Sequence, residues 1–304
     1  MLVIGESGAG KSTWINAVAN YLKFGSLKEA VQAGGEFPIS FLFRHPQTRE
    51  KIIVSSDDDS TMGMLQQVEA GKSVTQMPNE YVCEFKDTGN KLHIIDTPGL
   101  LDTENKGNNE VDKQHVNNIL RLLSSYRHIH AICIALKSTV NRLSESLKYT
   151  LTEIMKKLDT GAVNNVIFIV TYASSIMFQT GNILDILERF LDENKLNVSL
   201  PPTKASIYCF ENGIVNYLAE CKNSIPHNEY ETDSAQRNWK ISHSTTKEMI
   251  RYILELQPIS VASINAMYNA DHTVGVLSGL VLEIFCVTTK MWPRLSVKRR
   301  KQNV

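Results

Sequence analysis

The chain has 304 residues, with 32 Lys+Arg against 32 Asp+Glu, so its formal net charge is zero. Hydrophobic residues at 42% and charged residues at 21% exclude wholesale disorder. The neutral balance lacks the basic footprint of general nucleic-acid binding, and the length suits one large domain or one with an appendage.

Apolar runs alternate with helical patterns along the chain, the signature of a mostly parallel sheet with helices on both faces. Residues 2–4 read as the end of a first strand that is short or lacks an upstream part, and 12–22 as a helix with Trp14, Ile15, Val18 and Leu22 on one face. Strands are expected at 37–43 and 51–54, with a solvated loop at 55–61. The runs 81–85 and 91–95 read as a strand pair joined by the turn Asp87-Thr88-Gly89-Asn90. Helices at 111–126, 143–158 and 183–194 alternate with strands at 129–136, 163–170 and 206–210, and a helix at 213–221 closes the unit. The polar stretch 223–233 reads as a linker, and 235–256 and 260–290 as helices separated by Pro258. Domains are therefore expected at 1–221 and 222–304, the second a linker and helical extension. The apolar run 273–292 is about long enough to span a membrane, but Glu283 lies near its middle. Val276, Leu280, Ile284 and Val287 recur at helical spacing, so a packed amphipathic helix is expected. The basic tail 298–301 reads as a solvated end.

Five cysteines form no C-x-x-C pair. Cys83, Cys133, Cys209 and Cys286 sit in apolar runs, as buried free thiols of a reducing compartment would. No secretory signal core precedes Gly5, so a cytoplasmic location is expected. The eight histidines show no metal-ligand spacing; His93 reads as structural, and His128 and His130 flank Ile129 at a strand start, with no metal site assigned to any of them.

The chemistry begins at Gly5-Glu6-Ser7-Gly8-Ala9-Gly10-Lys11-Ser12, which matches G-x-x-x-x-G-K-[ST]. The glycines let backbone N–H groups converge on one concavity, and the helix starting near Gly10 adds its positive end. Lys11 places a charge on the β/γ oxygens of a nucleotide, and the Ser12 hydroxyl is a Mg²⁺ ligand type. The motif follows a strand-like run and precedes a helix, as a phosphate-binding loop requires. The candidate nucleotide contacts here are Glu6, Ser7, Gly8, Ala9, Gly10, Lys11, Ser12 and Thr13. A second element, Asp96-Thr97-Pro98-Gly99, follows the strand-like LHIID. Its carboxylate is placed to hold Mg²⁺, and Gly99 can offer its N–H to a γ-phosphate.

GESGAGKST followed by DTPG resembles the G domain of the P-loop GTPases, within them the septins and the immune-associated, GIMAP-like GTPases. The stretches GKSVTQMPNEYVCEF, LHIIDTPGLLDT, AICIALKSTVNRL, NVIFIVTYAS and IYCFENGIVNYLAE resemble a less characterised G-domain family near them. The resemblance spans most of residues 1–255. It implies a three-layer P-loop G domain binding GTP or GDP with Mg²⁺, and self-association, such as a homodimer, through that domain. It also implies that Thr75, in Ser73-Val74-Thr75-Gln76, is the Mg²⁺-ligating, γ-phosphate-sensing threonine of switch I. Switch II then runs from Gly99 to about Gly107. Lys11 and Asp96 are 85 positions apart, so 25–71 reads as an elaboration between the first helix and switch I.

Two departures matter. Where many GTPases carry [NT]-K-x-D, this chain has Thr171-Tyr172-Ala173-Ser174. No Asp is present to read guanine. Tyr172 reads as a stacking residue or a strand-end aromatic, and Glu211-Asn212, level with the last G motif, as alternative base contacts. Leu100 and Leu101 follow Gly99 where Ras-like enzymes place a water-orienting Gln, so turnover is expected to be slow or partner-dependent. Asp102, Thr103 and Glu104 are polar neighbours, and Arg142 reads either as solvated or as an arginine acting across a dimer. Lys11, Thr75 and Gly99 are the candidate catalytic groups; Ser12, Thr75 and Asp96 are the candidate metal ligands. The reading is a slow GTPase switch yielding GDP and phosphate. A nucleotide-binding interaction module with little hydrolysis and an ATP-binding P-loop enzyme are the alternatives. Membrane contact is not expected.

Overall fold

A computed structural model describes residues 1–54, 78–100, 109–156, 164–193 and 206–262, with isolated helical positions between 266 and 285. In chain order the elements are β1 (Leu2–Gly5), α1 (Lys11–Lys23), α2 (Leu27–Gln32), β2 (Phe41–Arg44), β3 (Lys51–Val54), β4 (Asn79–Glu84) and β5 (Lys91–Asp96). There follow α3 (Asn109–Leu123), β6 (His128–Ile129), β7 (Ile132–Lys137), α4 (Glu145–Lys156), β8 (Val166–Thr171) and a 3-10 turn (Ala173–Ile176). Then come α5 (Gly181–Glu193), β9 (Ile207–Cys209), α6 (Ile214–Lys222), α7 (Glu229–Glu255) and β10 (Ile259–Ser260).

Six strands form one sheet in the order β4-β5-β1-β7-β8-β9. All neighbours are parallel except the edge strand β4, which runs antiparallel to β5. The three-layer α/β architecture with a mostly parallel sheet expected from the sequence is the one observed. The central strands β1, β7 and β8 are apolar up to the polar ends Lys137 and Thr171 because both faces are covered. Leu2, Ile4, Ile134 and Phe168 face α3, α4 and α5. Val3, Cys133, Ile167 and Ile169 face Trp14, Ile15 and Val18 of α1 and Met249, Ile250 and Ile253 of α7. Cys83, Cys133 and Cys209 are buried free thiols; Cys286 lies outside the described residues.

The described part of the segment that follows α1, through Val54, is built onto the far side of α1. Phe43 and Val54 of the β2–β3 hairpin pack with Tyr21, Leu218 and Trp239. The strand expected at 37–43 is confined to Phe41–Arg44. Ahead of it, the backbone is held by side chains of α1. Asn16 pairs with both the C=O (2.8 Å) and the N–H (2.9 Å) of Ile39, and Asn20 does the same with Glu36.

Of the stretch 223–233 only 223–228 connects two helices; the rest is helical. Asn228 and Glu231 form a reciprocal capping box that starts α7 at Glu229, and α7 then supplies Trp239 and Met249 to the core. The signal was in the sequence, since Asn-x-x-Glu precedes a helical pattern. In the run 273–292 the described positions Val274, Leu277, Leu280, Val281 and Phe285 are exposed, so Leu280 does not pack as expected. Val276, Ile284 and Val287 lie outside the described residues. No helix among the described residues is long and apolar enough to cross a membrane.

Candidate functional site

The loop after β1 turns because Gly8 and Gly10 adopt left-handed backbone, at φ 71° and 82°, which only glycine takes without strain. The α1 helix begins at Lys11 with no side-chain cap, so its N-terminal dipole faces the loop's concavity. Among the described residues no oxygen accepts from the N–H groups of Gly8, Gly10 or Lys11. Lys11 is 7% exposed and donates to the carbonyls of Gly5 (2.9 Å) and Glu6 (3.0 Å). Burial pushes its pKa down, against the opposing pull of Asp96 and Glu6.

Asp96 ends β5 beside β1 and is fully buried. The Ser12 hydroxyl donates to its Oδ2 at 3.0 Å, so two of the three expected metal ligands sit together next to Lys11. Thr97 secures the turn by donating to the Val3 carbonyl at 2.8 Å. Gly99 then passes so close to the loop that a Cβ on it would lie 2.7 Å from Ser7 Cα. Ser7 donates its N–H to Leu100 O (2.8 Å), and Leu100 donates to Gly5 O (3.1 Å). The segment bearing Gly99 is thus laid directly on the phosphate-binding loop. Leu100 itself is 1% exposed in the core and cannot orient water. Thr75, Leu101, Asp102, Thr103, Glu104 and the rest of switch II to Gly107 lie outside the described residues.

Glu6 and Thr171 hold the site rather than line it. The Glu6 carboxylate accepts from the Ser144 N–H at 3.3 Å, beside the start of α4. Thr171 is 1% exposed, and its hydroxyl proton is shared between the carbonyls of Ala9 (2.8 Å) and, at longer range, Leu136 (3.2 Å). Ala9 is buried, whereas Ser7, Ser12 and Thr13 are partly exposed at the loop and first helical turn. Tyr172 is half exposed with a left-handed φ of 57°. Its carbonyl accepts from Ser138 Oγ (2.7 Å) and Ser175 Oγ (2.8 Å).

Glu211 reaches the turn after β8 from the end of β9. Its carboxylate accepts from the Ser174 N–H (3.2 Å) and Ser174 hydroxyl, and from the Gly213 N–H (3.1 Å). Ser174 stands where the [NT]-K-x-D pattern has its Asp. A carboxylate is therefore delivered there from the next loop. Asn212 is 6% exposed, and neither Nδ2 nor Oδ1 has a partner among the described residues. Ser174, Glu211 and Gly213 line one end of a cleft of about 750 Å³. Reading the sequence missed Ser138, Ser144 and Ser174, because lone serines in loops carry no pattern. It also missed Lys137, whose ammonium would stand 3.5 Å from a Cβ on Gly8.

The residues suit a nucleotide and its divalent ion: a nest of N–H groups, an ammonium, and a hydroxyl beside a carboxylate. No group of three or more His, Cys, Asp or Glu side chains among the described residues could hold a metal ion by itself. A site with one carboxylate, one hydroxyl and phosphate oxygens is the pattern expected of Mg²⁺.

The AIG1 family model matches residues 64–212, just under half of the chain. A GTP-binding protein A of Dictyostelium discoideum is 31% identical over 123 residues, 40% of this chain. The chain spans about a quarter of that relative's length. Among solved structures, Toc33 from Arabidopsis thaliana in complex with Mg²⁺ and GMPPNP aligns at 15% identity, over 85% of this chain and 86% of that one, with a TM-score of 0.49. A dimerization-deficient mutant of Toc33 from the same plant aligns at 14% identity, over 85% of this chain and 86% of that one, with a TM-score of 0.42. The likeness to immune-associated GTPases read from the motifs and the family match agree.

Proposed function

We propose that this chain binds guanine nucleotides with Mg²⁺ and hydrolyses GTP slowly to GDP and phosphate. The observation that carries this reading is the cluster of Lys11, Ser12, Asp96 and Gly99 around one N–H-lined concavity, with Ser12 Oγ 3.0 Å from Asp96 Oδ2. The likeness to a GTP-binding protein and to the AIG1 family supports it. Mg²⁺, when bound, neutralises charge on the phosphate oxygens and fixes their geometry.

Lys11 holds the β/γ oxygens, Ser12 and Asp96 hold the ion, and Gly99 offers its N–H to the γ-phosphate. Thr75 belongs to the same ion and phosphate by the family likeness. Protein catalysis of this kind is mostly positioning and charge neutralisation. With Leu100 buried where a water-orienting side chain stands in faster enzymes, turnover is slow. The base lies over the ends of β8 and β9. Glu211 accepts from the guanine N–H groups, Asn212 satisfies its buried amide there, and Tyr172 covers the base. Adenine offers no matching donors at that edge, so GTP is preferred to ATP.

Arg142 is exposed two residues before Ser144, which touches the phosphate-binding loop through Glu6. A second copy facing this rim would receive Arg142 at its phosphates, and turnover would rise with protein concentration. Phosphate release from GTP and ATP, for wild type and Glu211→Ala over a range of protein concentrations, tests the reading. GTP-selective release that loses selectivity in Glu211→Ala is expected. Equal release from both nucleotides by wild type contradicts it. Tight GTP binding with no release at any concentration leaves the chain a nucleotide-binding interaction module, the reading that buried Leu100 favours.

A further inference from the structure

The strand order places two ends of a bound nucleotide without reference to any ligand. The groups suited to the γ-phosphate, Asp96 and Gly99, follow β5 on one side of β1. The groups suited to the base, Tyr172, Ser174 and Glu211, follow β8 and β9 on the other. Between β1 and β8 runs β7. A nucleotide that joins the two ends must cross the C-terminal end of β7, and the part that crosses is the ribose with its α- and β-phosphates.

The last residue of β7 is Lys137, in register with Thr171 of β8. Its Nζ would lie 3.5 Å from a Cβ on Gly8, at the rim of the phosphate-binding loop. The strand end is held firmly. Thr171 bonds Leu136 O and Ala9 O, and Ser138 donates its N–H to Thr171 O and its hydroxyl to Tyr172 O. Lys137 is partly buried, yet among the described residues no carboxylate pairs with it. An ammonium at that rim can meet an arriving anion with a charge-assisted hydrogen bond. The chain also has no lysine in the loop after β8, where [NT]-K-x-D would supply one and Tyr172 stands.

We propose that Lys137 is a second phosphate-binding cation of this site, contacting the α/β end of the bound nucleotide beside Gly8 while Lys11 serves the β/γ end. This rests on the nucleotide-binding reading above. It assigns a role that the motif pattern does not, because the residue comes from a strand end between the two recognised loops.

The test is equilibrium binding of fluorescent GDP and GTP analogues with Mg²⁺ to the full chain as wild type, Lys137→Gln and Lys137→Arg, with guanosine as the phosphate-free competitor. Lys137→Gln is expected to weaken GDP and GTP equally, by roughly ten- to a hundredfold, the scale of one lost charge-assisted hydrogen bond. Guanosine competition stays unchanged, Lys137→Arg retains most of the affinity, and the melting temperature without nucleotide is unaltered. Equal nucleotide affinity in Lys137→Gln and wild type overturns the proposal. So does a loss confined to GTP, which would put the contact at the γ-phosphate, or an equal loss for guanosine, which would mean general disruption. Failure of folded wild type to bind any nucleotide would instead bring down the nucleotide-binding reading, and this proposal with it.

Discussion

The hydroxyl of Thr171 donates to the carbonyl of Ala9 at 2.8 Å, so the strand that leads to the turn proposed for the base grips the loop proposed for the phosphates. The same hydroxyl reaches Leu136 O on the strand between them. The glycine-rich loop and the turn after β8 are therefore tied through one side chain. Thr171→Val keeps the shape and removes the donor. Stability should fall by about 1–2 kcal/mol as the buried Ala9 carbonyl loses that bond, and nucleotide affinity should fall further as the loop loses its tether. Thr171→Ser should restore the bond. Denaturant melts and nucleotide titrations on the pair measure this, and unchanged affinity in Thr171→Val would contradict the tether.

Gly99 tests the docking of switch II. A Cβ there would sit 2.7 Å from Ser7 Cα and 2.9 Å from Ser7 N, and neither backbone atom can step aside cheaply. Gly99→Ala should push the segment off the loop, breaking the Ser7–Leu100 and Leu100–Gly5 bonds. GDP affinity should change little, while single-turnover GTP hydrolysis should drop at least tenfold. A variant with wild-type hydrolysis would show that Gly99 has no part in positioning the γ-phosphate.

Asn16 tests the elaboration between α1 and β4. It is 2% exposed and satisfies both the N–H and the C=O of Ile39. Asn16→Ala leaves those groups buried and unpaired, at a cost of about 2–3 kcal/mol. Asn16→Asp should cost more, because it removes the donor and buries a charge. Urea unfolding midpoints provide the measurement. A shift below roughly 0.5 kcal/mol, the size of an ordinary surface substitution, would mean the clamp contributes little.

The pH dependence of binding follows from Lys11. Burial lowers its pKa below the ordinary lysine value, with Asp96 and Glu6 partly offsetting. The charged form binds phosphate, so affinity is full where Lys11 is protonated and falls as pH rises through the lowered pKa. Calorimetric titration of GDP from neutral to strongly alkaline pH should show weakening that begins earlier than an unperturbed lysine would give. Binding that is flat across that range would contradict the role given to Lys11.

The parallel sheet was legible because its strands are buried on both faces and so read as continuous apolar runs, as in 132–136 and 166–170. The phosphate loop was legible because its glycines, lysine and serine stand at a fixed local spacing. The α7 boundary was obscured by Pro226 and the polar run around it, although Asn228 and Glu231 carried a capping signature. The strand expected at 37–43 shortened because tertiary bonds from Asn16 and Asn20 replaced strand pairing, which no local pattern reveals. The roles of Thr171, Glu6 and Lys137 depend on which strands become neighbours, so sequence distance hid them. Thr171 lies 162 positions from Ala9.

The central claim is that Lys11 and its loop bind the phosphates of a guanine nucleotide. Equilibrium binding of fluorescent GTP and ATP analogues with Mg²⁺, to wild type and Lys11→Ala, tests it most directly. The account predicts a clear GTP preference in wild type, competed by GDP and not by ADP, and loss of binding to both analogues in Lys11→Ala. Retained triphosphate binding in Lys11→Ala, or an ATP preference in wild type, would contradict it.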